Sequence, residues 1–76
     1  MTESEKIRYI AYLSLKGELD HIQKQGANLY LDGSKTNADF IARACVFNES
    51  SSYMRDYVTD RSGRLNKLSF DQVENG

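Results

Sequence analysis

A chain with one cysteine, Cys45, and one histidine, His21, must hold itself together by side-chain packing alone. No intramolecular disulfide can form. One His and one Cys cannot build a four-ligand zinc site from N and S donors. The chain has 76 residues, which is one domain, 1–76. A domain of this size buries only about 60% of the surface its unfolded chain exposes, so its stability is marginal. Small domains without staples gain stability by associating. Self-association is therefore an expectation before any element is assigned.

Charged residues make up 28% and apolar residues 39% of the chain, ordinary for a globular domain. The net charge of −1 is evenly spread, with four basic and four acidic side chains in 1–26, two and three in 27–52, and four and four in 53–76. No basic or acidic tail stands out, and bulk electrostatics gives nucleic-acid binding no support. The start "MTESEKIRYI" is acidic and polar, unlike a secretory signal. No stretch approaches the ~20 apolar residues of a membrane span. The expectation is a cytoplasmic protein with no membrane contact and Cys45 as a thiol. In that setting the glycosylation match Asn48-Glu49-Ser50 is accidental.

Residues 3–25 read as a helix. Glu3 and Glu5 suit the positive helix end, Thr2 or Ser4 can cap it, and Gly26 stops it. Two apolar stripes run along it. Ile7, Ala11, Leu15, Leu19 and Ile22 are expected to face the core. Tyr9, Ile10, Tyr12 and Leu13 are expected to stay partly exposed. The segment 7–15 also alternates like a strand, but its flanks are helix formers and its polar alternates are few. Residues 28–34, "NLYLDGS", predict a short strand ending in an Asp32-Gly33 turn. Asn37 caps a second helix whose apolar face is Phe40, Ile41, Ala44 and Cys45, ending at Asn48. The loop Asp60-Arg61-Ser62-Gly63 lies between two β-prone runs, predicting a hairpin over 54–60 and 64–70 with Gly63 left-handed. Residues 50–54 are a loop or a short third helix. The fold class is α+β: long N-terminal helix, short strand, second helix, C-terminal β-hairpin. A winged helix shares this order of elements.

No motif specifies chemistry. Cys45 could pair with His21 and an acid for nucleophilic catalysis, but Cys45 sits on an apolar helix face, where Cys is usually a small hydrophobe. "GSKT" at 33–36 lacks the glycine spacing of a phosphate loop. The acidic residues are scattered and set no calcium-loop spacing. The chain is expected to be non-enzymatic, with no cofactor and no metal.

Two binding readings remain. In the first, the first helix offers more apolar surface than a small domain can bury, and Tyr9, Ile10, Tyr12 and Leu13 contact a protein partner or a second copy. The chain would be an adaptor, inhibitor or small regulator. In the second, 37–47 is the scaffold helix and 48–57 the turn and recognition helix of a winged helix-turn-helix. Ser51 and Arg55 would then face the groove, with Arg61 and Arg64 at the wing tip. Against it stand a turn without Gly, three serines in a very short helix and a neutral domain. The protein-contact reading is the preferred one.

Overall fold

The computed structural model describes residues 1–48 and 52–73. The elements follow in the order α1 (Glu3–Lys24), β1 (Asn28–Leu31), β2 (Ser34–Thr36), α2 (Ala38–Phe47), β3 (Ser52–Thr59) and β4 (Leu65–Val73). The helix–strand–helix–hairpin order is the expected one, and residues 7–15 are helical. The strands form one sheet in the order β2-β1-β4-β3. β1 runs parallel to β4 and antiparallel to β2, and β3 and β4 form the hairpin.

Local chemistry sets the element ends. Of the two candidate caps for α1, Thr2 is the one used. Its Oγ1 accepts from the Glu5 backbone N–H at 3.2 Å and donates to Glu5 Oε1 at 3.0 Å, satisfying one orphan helix donor. Asn37 caps α2 as predicted, accepting from the Phe40 N–H at 2.9 Å. Between β1 and β2 the chain reverses through Asp32 (φ 49°) and Gly33 (φ 83°), the two left-handed positions of a type I′ hairpin turn. Asp32 also ties strand ends together: its N–H donates to the Phe70 carbonyl at 2.8 Å, and its Oδ1 accepts from the Gln72 N–H at 2.8 Å.

Two sequence expectations are corrected here. The short strand and Asp32-Gly33 turn read over 28–34 are present as β1 and its reversal, but a further strand, β2, follows at Ser34–Thr36. β2 carries only Ser, Lys and Thr, so backbone pairing makes it a strand and no apolar alternation announces it. The recognition helix expected within 48–57 is not a helix: residues 52–59 are β3, paired with β4 from Ser52↔Val73 to Thr59↔Leu65 with an irregularity at Val58/Thr59. Three serines and two tyrosines in ten residues favour extended structure over a short helix. Residues 49–51, including Ser51, lie outside the described residues.

The helices lie on one face of the sheet. The register places Leu29 beside Leu68 and Leu31 beside Phe70 on that face. Leu19 from α1 and Ala38 and Ile41 from α2 close over them, while Leu15, Ile22, Ala44, Cys45 and Tyr53 pack around the margin. Phe70, Leu19, Leu29, Ile41 and Leu68 are the largest fully buried side chains. The molecule is elongated, 46 × 32 × 17 Å with a Cα radius of gyration of 13.4 Å. A compact chain of this length would have about 11 Å.

The hairpin loop is held by Asp60. Its Oδ1 accepts from the Ser62 N–H (2.9 Å), the Ser62 hydroxyl (2.6 Å) and the Arg64 N–H (3.0 Å). Gly63 has φ +86°, where a side chain is strained even in open space. Gly63→Val is expected to destabilise the fold by about 1–2 kcal/mol. The midpoint of a urea titration checks this, and an unchanged midpoint would contradict the loop assignment.

Candidate interaction surface

α1 is about 33 Å long at 1.5 Å per residue, longer than the sheet beneath it can cover. Residues 1–11 are exposed on every side. Contact with the core begins with Tyr12, Leu15, Lys16, Leu19, Asp20 and Ile22, all buried or half-buried. This corrects the two-stripe expectation. Leu15, Leu19 and Ile22 face the core as predicted, but Ile7 is 62% exposed and Ala11 is exposed too. Steps of four drift by about 40° each around the helix, so Ile7 and Ala11 turn away from the direction of Leu19 as they run out past the core, and nothing covers them.

Of the four residues expected at a partner contact, Tyr9, Ile10 and Leu13 are exposed, Ile10 to 65%. Tyr12 is half-buried and belongs to the contact between helices. Its hydroxyl donates to Asp39 Oδ1, and its ring lies 5.8 Å from that of Phe47 and 6.3 Å from that of Tyr9. Asp39 also accepts from Arg43 Nε at 3.2 Å. The Tyr12 hydroxyl, then Arg43, holds the Asp39 carboxyl below its usual range; the same hydrogen bond pushes the Tyr12 phenol up.

Ile7, Tyr9, Ile10 and Leu13 together expose on the order of 400 Å² of apolar side chain, within the range of about 300–600 Å² of the largest patch on a typical single chain, a patch that is often functional. Phe40 and Phe47 on α2 are exposed as well. The spacing from Ile41 and Ala44 predicts Phe40 on the core face. Instead Ala38, Ile41 and Ala42 are buried, and Phe40 points away from them. The protein exposes 5478 Å² in all, against about 4,700 Å² expected for a compact chain of 8.7 kDa.

The sheet offers a second exposed element, the edge strand β3, where Met54 and Val58 on one face and Tyr57 on the other are all exposed. It is guarded by charge. Pairing with a second β3 about the middle of the strand sets Arg55 against Arg55 or Asp56 against Asp56, a like-charge clash of the kind that blunts edge strands. Arg55, the proposed groove contact, is engaged on the helix side of the sheet. It donates to Glu18 Oε1 at 3.1 Å and to the Tyr57 hydroxyl at 3.4 Å, and lies 5.2 Å over the Phe70 ring. Arg61 and Arg64 flank the hairpin loop and are exposed. The three arginines do not form one basic face with a helix.

Cys45 lines a shallow cleft with Ser52, Tyr53, Arg55 and Phe70, and burial raises its thiol pKa. His21 is not part of that cleft; it is bonded to the Gln25 side chain at 3.1 Å on the exposed side of α1. No group of three metal-ligating side chains forms among the described residues. No helix among them is long and apolar enough to cross a membrane. No family model, curated protein or solved structure matches the chain.

The Tyr12–Asp39 bond has a pH signature. A depressed Asp39 pKa favours the folded state above the unfolded carboxyl value of about 3.9, and that contribution is lost as pH falls through the lower folded value. Tyr12→Phe removes the main cause of the depression. Its melting temperature should fall short of the wild type at pH 7, with the gap narrowing toward pH 2. A constant gap across that range would assign Tyr12 a purely apolar role.

Proposed function

We propose that this protein is a small non-enzymatic interaction module, an adaptor, inhibitor or regulator, that works through the outer face of α1. The observation that carries this reading is the exposed N-terminal half of α1, apolar around much of its circumference and uncovered by its own sheet. A lone helix of this length is marginal in water without packing. A chain that keeps Ile7, Tyr9, Ile10 and Leu13 there gains by covering them. The half-buried thiol of Cys45 suits a reducing compartment such as the cytoplasm.

The test uses residues that are exposed, so that folding and binding separate. Ile10→Asp and Leu13→Asp are expected to leave circular dichroism unchanged and stability within about 0.5 kcal/mol of the wild type. Both should abolish whatever association the wild type shows in quantitative cross-linking from its native cell. Retention of every cross-link in both variants would remove this face from the function.

A DNA-binding regulator is the alternative, and its support is now confined to Arg61 and Arg64, since β3 occupies the place of the recognition helix. A low-salt titration with pooled genomic duplex is expected to be flat. An isotherm that weakens with log K falling by about 0.9 per neutralised phosphate, and that Arg61→Ala with Arg64→Ala abolishes, would favour DNA instead.

A further inference from the structure

The outward side of α1 carries one unbroken seam. Glu3, Lys6, Ile10, Leu13, Gly17, Asp20 and Lys24 follow one another at alternating steps of three and four residues. That spacing keeps them on one face of the helix, with Ile10 and Leu13 as its apolar centre and charges toward both ends. Six of the seven are exposed and Asp20 is half-buried. The seam also reads the same in reverse if each residue is replaced by its complement. Glu3 at one end answers Lys24 at the other, Lys6 answers Asp20, and Ile10, the bulky residue, answers Gly17, the one without a side chain. Leu13 is the midpoint and answers itself.

We propose that the partner on this face is a second copy of the chain, its α1 antiparallel to the first, with the two-fold axis passing between the two Leu13 side chains. The proposal rests on the reading of α1 as a contact surface and names what covers it. In this arrangement each chain's uncovered N-terminal half lies along the well-supported C-terminal half of the other α1. Ile10 fills the space at Gly17 of the second copy, where nothing beyond the adjacent residues and the helix's own backbone lies within 4 Å of a would-be side chain. Glu3 meets Lys24, and neither has an ion-pair partner among the described residues. Lys6 meets Asp20, which holds its own Lys16 through Oδ2 at 2.8 Å and leaves Oδ1 open. A two-fold contact of this kind closes on itself, so assembly stops at two.

The charges choose the register. Sliding the helices by about one turn in one direction sets Glu3 against Asp20; sliding them the other way sets Lys6 against Lys24. Exposed ion pairs add little affinity, but like-charge contacts exclude wrong alignments. Attraction comes from Ile10, Leu13 and the flanking Ile7, and the charges fix where they meet.

The test is light scattering with sedimentation on the full chain at about 100 μM, a concentration that populates even weak dimers. Wild type is expected at twice 8.7 kDa. Leu13→Asp, which opposes two carboxylates on the axis, should give a folded monomer by circular dichroism. Glu3→Lys should weaken the dimer at least several-fold, and adding Lys24→Glu should restore it. In a Cys45→Ser background, Leu13→Cys should form an intermolecular disulfide under mild oxidation, whereas Gln23→Cys, on another face of α1, should not. A dimer unaffected by Leu13→Asp, or a charge swap without rescue, overturns this arrangement. A monomeric wild type overturns self-pairing altogether. The interaction reading then stands only if Leu13→Asp still abolishes cross-linking to another protein, so the two failures are told apart.

Discussion

The parallel pairing of β1 with β4 is the contact on which the rest of the molecule depends. It joins residues about forty positions apart and sets Leu29 against Leu68 and Leu31 against Phe70. Those four side chains form the floor of the core, and both helices are placed by what they close over it. Parallel neighbours need a long crossover, and here it passes through β2, α2 and β3. Asp32 extends the pairing past the end of β1 by accepting from the Gln72 N–H. A turn residue therefore fastens the N-terminal hairpin to the C-terminal strand.

A floor of four strands carries a limited roof. α2, at ten residues, fits over it. α1, at 22 residues, does not, and its first half extends where no strand lies beneath. This mismatch in length accounts for the elongated shape and the large surface together. It also explains why the apolar residues of that half, though spaced like those of the buried half, remain in water. The polar ties to α1 come from its middle: Tyr12 to Asp39 of α2, and Glu18 to Arg55 of β3. They hold the helix where the core ends and leave the outer face open. The seam on that face runs through both halves, so a second helix laid along it would complete the covering.

The sequence by itself determined what depends on near neighbours. The Asn37 cap, the start of α1 in its first turn, the left-handed Gly63 and the Asp32-Gly33 reversal are each fixed by side-chain and backbone chemistry within a few residues. Of the exposed patch, Tyr9, Ile10 and Leu13 are legible as apolar residues off the core stripe; Tyr12, read with them, is half-buried against α2, and Ile7, read as core, is exposed. What only the tertiary structure decided was set by distant partners. β2 has no apolar pattern and exists because β1 lies beside it. The hairpin strand from Met54 onward is legible in its own alternation, and only its extension back to Ser52, where the sequence allows a loop or a short helix, is set by pairing with Val73 and Gln72 of β4. Ile7 and Leu15 have the same periodicity along α1, yet one is in water and the other against the core. Each four-residue step turns a side chain about 40° around the helix, so Ile7 lies to one side of Leu15 as well as farther along the axis, and the sheet beneath reaches only one of them.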